Sequence, residues 1–421
     1  MRVLLLIVAV TASTVPGFAS GPSGRDPVVS AAVSADPYIA DEAIRGLRAR
    51  GPAGLQQLLD AHATEVKVAK SGAPSGHDWE LLRTALDRVA AQRDAYSSGL
   101  YWYTDLDEAL AVARTTGRPV LTLRLLGRLD EEYSCANSRF FRTALYANPR
   151  VARYLRENFV LHWSSERPAP RITIDFGDGR TLVRTVTGNS AHYVLDARGR
   201  VVDVLPGLYG PEAFVRELWP ALAQARSLAT ADTPAWFASQ QSYVDRQVET
   251  ASAGWRSAVR ALEAPTALLA AKRPQPAAAS RSTGGSAADA GRLALTKRAT
   301  EVGVLRVLAL EAPPDSRGFD DPIWESIAAL SPDDARLDAG GIAMVARHVP
   351  PATSEAEVAR IVARFEAAMA LDTVRARFVL RPDVLQRLSW LWRDGSPTSA
   401  TFEVANRLVY DTVFMTPQSD P

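Results

Sequence analysis

The chain of 421 residues has a single cysteine, and that shortage already closes off several classes of function. With only Cys135 there is no internal disulfide, no Cys-rich zinc site and no iron–sulfur cluster. Net charge is missing too. Forty-eight basic side chains against 47 acidic ones leave a formal charge of +1, without the positive excess that nucleic-acid-binding or polybasic membrane-surface proteins need. Lysine occurs only at Lys67, Lys70, Lys272 and Lys297, so arginine carries most of the positive charge, a bias that says nothing about activity. No Gly-rich phosphate loop, Gly-x-Ser-x-Gly nucleophile elbow, pair of metal-ligand histidines or basic aromatic stripe occurs. No cofactor is expected and no metal site. What is present is an ordinary globular composition, 47% hydrophobic and 23% charged, at a length that suits about two or three domains.

The first residues read as a secretory signal. Arg2 gives the positive start, Val3 to Val15 an apolar run, and Gly17-Phe18-Ala19 the small residues around a cleavage point after Ala19. The run is shorter than the roughly 20 residues a membrane-spanning helix needs, and no cysteine follows it for a lipid anchor. The mature protein is therefore expected to be exported, periplasmic or extracellular, with no membrane span after signal cleavage. In such surroundings a lone thiol is either buried and inert or reacts with another molecule.

Beyond the signal at 1–19, residues 20–35, rich in Gly, Pro, Ser and Ala, read as a disordered lead-in. Residues 36–100 carry short helical patterns, with Ile44 and Leu47, then Leu55, Leu58 and Leu59, then a longer helix from Trp79 to Tyr96, and read as a helical cap. From Tyr101 helix and strand signals alternate, and 101–228 reads as an α/β domain. Its elements are a helix around Leu106–Ala113 stopped by Gly117, a strand Val120–Leu126, and a helix from Cys135 to Tyr146. After an Asn148-Pro149 restart come a strand Phe159–Trp163, a hairpin around Gly177-Asp178-Gly179, a second hairpin through Arg198-Gly199, and a closing helix Pro211–Ala223. Thr233-Pro234 opens a helix spanning 229–271, with Trp236, Tyr243, Val248, Trp255 and Leu262 on one stripe. Residues 272–292 read as a disordered linker, and 293–421 as a helical domain. Its helices start at Leu293, at Ser331-Pro332, at Ser354 with Glu357, and at Phe402.

Four stretches of the central domain carry a resemblance: Gly117-Arg118-Pro119-Val120-Leu121, Cys135-Ala136-Asn137-Ser138, Asn148-Pro149-Arg150-Val151 with Asn158-Phe159-Val160, and Tyr193-Val194-Leu195-Asp196. In order and spacing, residues 101–223 resemble the exported branch of the thioredoxin-like superfamily. The second cysteine of the family motif lies eleven residues before the proline that restarts the helix, and here Ser138 lies eleven before Pro149. The resemblance implies an α/β thioredoxin-like central domain, a mixed sheet flanked by helices, with N-terminal and C-terminal α-helical regions around it. It also implies a degenerate Cys-x-x-Ser motif, with Cys135 at the nucleophilic position, and a substrate-binding loop at Gly188, Asn189 and Ser190, where Ser190 replaces the family's cis-proline. A cis bond before a non-proline residue costs about 2.5–4 kcal/mol, so this loop is expected to be trans or differently shaped.

At a helix start, free N–H groups and the helix dipole stabilise a thiolate, and a thiolate attacks disulfides. Without a second cysteine the mixed disulfide awaits an external thiol, and Ser138 serves only to tune the sulfur. Buried free cysteine is equally common, so Cys135 reads either as a reactive thiol or as a small core residue. His162 and His192, on strands, read as hydrogen-bonded structural histidines. Asp175, Phe176 and Asp178, around the inserted hairpin, form a candidate partner surface. Two functions stay open: a scaffold or binding module with a degenerate active site, met by an exported protein partner, or monothiol thiol-disulfide exchange through Cys135 on exported proteins, completed by a thiol donor.

Overall fold

A computed structural model describes residues 26–72, 76–132, 134–169, 171–175, 177–179, 181–185, 189–263, 321–347 and 353–414. The signal at 1–19, the linker at 272–292 and the helix expected from Leu293 lie outside these residues.

The N-terminal part begins earlier than its composition suggested. Asp26 accepts the Val28 N–H and caps α1 (Pro27–Ala31), with proline in its first turn, and Val29 and Ala32 are buried. A side-chain cap, a preset φ and two apolar residues hold this short helix, which corrects the expected disorder from residue 26 to 35, while residues 20–25 lie outside the described residues. Four helices follow: α2 (Pro37–Ala49), α3 (Pro52–Ala61), α4 (Ala63–Ser71) and α5 (His77–Ala90). Ile44, Leu47, Leu55, Leu58, Leu82, Leu86 and Val89 meet in their core. Where α2 faces α3, a Cβ on Gly54 would stand 1.9 Å from the Leu47 carbonyl oxygen, so only glycine fits. The helix expected from Trp79 to Tyr96 breaks after Ala90. Ala91 and Asp94 take left-handed backbone angles, φ 50° and 59°, before α6 (Ala95–Ser98) resumes.

In the centre, Asp105 caps α7 (Leu106–Thr116), which stops at Gly117. Strand β1 (Val120–Leu125) is joined to β2 (Val160–Ser165) through α8 (Ala136–Phe140), a π turn (Phe141–Leu145) and α9 (Pro149–Asn158), the last capped by Asn148. The antiparallel pair β3 (Arg171–Asp175) and β4 (Thr181–Thr185) makes a separate hairpin. Then come β5 (Ala191–Leu195), β6 (Val201–Pro206) and α10 (Pro211–Ser227). One sheet has the order β2-β1-β5-β6, with β1 parallel to β2 and antiparallel to β5, and β5 antiparallel to β6. The centre is thus a mixed α/β unit, a four-stranded mixed sheet flanked by helices.

The remainder is helical: α11 (Thr233–Glu263), α12 (Asp321–Ala328), α13 (Ala339–Arg347), α14 (Glu355–Arg375), α15 (Arg381–Leu391) and α16 (Phe402–Leu408), the last continued by a π turn, Val409–Val413. Ser331-Pro332 opens only a 3-10 turn, Pro332–Ala335, where a full helix was expected. The chain stops there because Arg336 is extended, and Asp338 accepts the Gly340 and Gly341 N–H groups to start α13 afresh. This region packs tightly on the α/β unit. A Cβ on Gly210, just before α10, would lie 2.1 Å from the Asp334 carbonyl oxygen, and the Gly210 N–H donates to Thr373 Oγ1 at 2.8 Å.

Candidate functional site

Cys135 stands at the N-cap of α8, as its spacing predicted, but it is 0% exposed and its side chain makes no capping hydrogen bond to the first N–H groups of the helix. The helix it opens passes from α to π geometry after five residues. Ser138 is also fully buried. Its hydroxyl donates to the Arg128 carbonyl at 3.4 Å and is thereby turned to the backbone. The polar contact to the opposing loop comes instead from Asn137, whose Nδ2 donates to Ser190 Oγ at 2.8 Å. The Asn189–Ser190 bond is trans, and the Ser190 carbonyl accepts the Gly207 N–H at 2.8 Å. Gly188 lies outside the described residues.

The C-terminal region closes this corner. On β5, His192 points to one face and Tyr193 to the other. Against Tyr193 lies α16: Phe402 packs edge-on at 5.1 Å between ring centres, and the Tyr193 hydroxyl donates to Asn406 Oδ1 at 3.0 Å. Asn406 in turn donates to Glu166, which is ion-paired with Arg124. One turn further on, the Tyr410 hydroxyl donates to the Asn189 carbonyl at 3.2 Å. Burial pushes that hydroxyl's pKa far above its usual range. The Asn189 carbonyl is thus occupied by a side chain of the same molecule.

Two further groups fix the core beneath. His192 is fully buried between Phe141 and Phe214, its Nε2 2.6 Å from the Tyr146 hydroxyl, and burial pushes its pKa down to about 3. His162 lies 2.6 Å from Thr122 Oγ1 through Nδ1, and burial together with Arg124 lowers it to about 4. Both are neutral packing residues rather than a base or ligand. Among the described residues no group of three potential metal ligands occurs. In the hairpin, Asp175 and Asp178 are exposed and Asp175 accepts the Gly177 N–H at 2.9 Å, which is turn chemistry. Phe176 lies outside the described residues.

Sequence reasoning missed a buried ion-pair network between sheet and C-terminal region. Asp203, fully buried on β6, pairs with Arg381 of α15 at 2.6 Å and accepts the Tyr243 hydroxyl of α11, while Arg381 also holds Glu217 of α10 at 2.5 Å. The signal was an aspartate inside the apolar run Val201-Val202-Asp203-Val204-Leu205. It missed as well a buried carboxylate in the cap, Asp87. Burial and the nearby Asp94 raise it to about 7, although it accepts the Ala95 N–H at 2.9 Å. Two clefts, of about 180 and 430 Å³, lie along α11 and α15 and take no lining residue from the Cys135 corner. Comparison with known proteins adds no relative: no protein-family model, curated protein or solved structure matches this chain.

Proposed function

We propose that this chain is an exported protein whose thioredoxin-like central domain serves as a scaffold or binding module with a degenerate active site. The sheet order, with Cys135 opening the helix that faces the start of β5, supports the thioredoxin-like reading. One observation carries the functional choice: the sulfur is wholly buried, whereas exchange chemistry needs a partly exposed thiolate in electropositive surroundings. Ser138 bonds the backbone and does not face outward as a second functional group. The exposed hairpin at Asp175 and Asp178 is the surface offered to an exported protein partner.

The test is adduct formation with oxidised glutathione on the native protein near neutral pH, followed by mass spectrometry. The closed corner should slow the reaction about a hundredfold or more relative to cysteine free in solution. A native rate matching or exceeding that of free cysteine would overturn the scaffold reading in favour of monothiol exchange, in which Cys135 attacks a partner disulfide and an external thiol releases the adduct.

A further inference from the structure

Away from the Cys135 corner, we infer that the cleft of about 430 Å³ between α11 and α15 is a carbohydrate-binding site, with Trp390 as the platform on which a neutral oligosaccharide stacks. The two helices run antiparallel and are held in register by polar bonds. Ser389 Oγ donates to Gln241 Oε1 at 2.8 Å, and Arg381 Nη2 donates to Gln247 Oε1 at 3.2 Å. Tyr243 and Val244 on α11 and Leu385 and Leu388 on α15 are buried in the same region. The walls of the cleft are therefore set before any ligand arrives, which lowers the cost of binding.

Trp390 is 67% exposed, whereas Trp392, two residues on, is buried edge-on against Trp236. Trp219 is about as exposed but lines neither cleft. An indole left in water forgoes much of the area a tryptophan normally buries, and its flat face carries a partial negative charge that attracts the weakly positive C–H groups of a sugar ring. Gln386, Trp390 and, just past the helix, Arg393 follow one another at helical spacing and line the same side of the cleft. The side chains of Gln386 and Arg393 have no polar partner among the described residues, so their N–H groups remain for a ligand. From α11, Asp245 and Glu249 offer carboxylate oxygens, and Val244 and Val248 add a small apolar patch. Sugar hydroxyls both donate and accept, and this mixture of carboxylates, amide and guanidinium meets both needs. Charge favours a neutral ligand, since Glu249 is already paired with Arg256 at 2.7 Å and Asp245 is left against Arg393. A docked amphipathic helix would need a longer apolar stripe than two valines and one ring. The volume falls in the range of ligands larger than a single sugar ring.

The test is calorimetric titration of the full chain with neutral tetrasaccharides of glucose, N-acetylglucosamine, mannose and xylose, and with a sulfated tetrasaccharide for comparison. At least one neutral sugar should bind at a single site. Trp390→Ala should weaken that binding about tenfold or more, and Trp219→Ala should leave it unchanged. The melting temperature of Trp390→Ala should move by less than about 2 °C, as for any exposed side chain. No binding by any neutral sugar at millimolar concentration, tighter binding of the sulfated one, or binding that survives Trp390→Ala overturns the site. A larger fall in melting temperature also overturns it, because the ring would then be covered by the chain's own residues. None of these results touches Cys135, so the scaffold reading stands or falls separately.

Discussion

Arg381→Met tests what holds the C-terminal helices on the sheet. In the native protein Arg381 donates through Nη2 and Nε to the two oxygens of Asp203, at 2.6 and 3.2 Å, and through Nη1 to Glu217 at 2.5 Å, all of it buried. Methionine fills much of the same volume but strands the Asp203 carboxylate, which keeps only the Tyr243 hydroxyl and the Val204 N–H. Removing one partner of such a pair costs about 3–5 kcal/mol, because the remaining charge stays in a poorly solvating interior. With a urea slope of about 3 kcal/mol/M, the unfolding midpoint should fall by about 1–2 M. Adding Asp203→Asn removes the stranded charge and keeps an acceptor for Tyr243, so the double variant should recover much of the loss. The coupling energy from the full cycle, followed by tryptophan fluorescence in urea, is expected near 2 kcal/mol. If Arg381→Met costs under about 1 kcal/mol, or the double variant loses the sum of the singles, the network does not anchor this region.

Two pH effects of opposite sign follow from the buried titratable groups. Asp87 has its folded pKa raised to about 7 from an ordinary 3.8, so the folded state keeps a proton that the unfolded chain releases. Its stabilising effect is complete below about pH 4 and is lost as pH climbs to 7. Asp87→Asn should flatten this part of the melting-temperature profile, and parallel profiles for variant and wild type would contradict the assignment. His192 has its folded pKa lowered to about 3 from 6.5, so it stabilises above pH 6.5 and the benefit is lost as pH falls toward 3. His192→Gln keeps a partner for Tyr146 and should reduce acid sensitivity between pH 6 and 3. Unchanged acid unfolding would show that the imidazole does not titrate in this window.

Local grammar carried much of the fold. Apolar runs bounded by glycine marked β1, β5 and β6, Asn148-Pro149 marked the start of α9, and Gly177-Asp178-Gly179 marked the hairpin turn. Cys135 was placed at a helix start by spacing alone. The closure of the facing loop was not legible, because the donor to its Asn189 carbonyl stands 221 positions away and nothing in Tyr410 announces a distant partner. Arg381 was hidden for the same reason, although its partner Asp203 was conspicuous in an apolar strand. The lead-in misled from residue 26 because composition outweighed one capping aspartate, and Ser331-Pro332 because a second cap, at Asp338, begins a new helix.

The separation between Asn189 and Tyr410 also sets an order of events during synthesis. A chain that emerges from its N-terminus completes the strands of the sheet long before the portion bearing Tyr410 has appeared, so for that interval the Asn189 carbonyl stands without its hydroxyl donor. The corner is therefore finished last, when the C-terminal helices settle on a sheet already made.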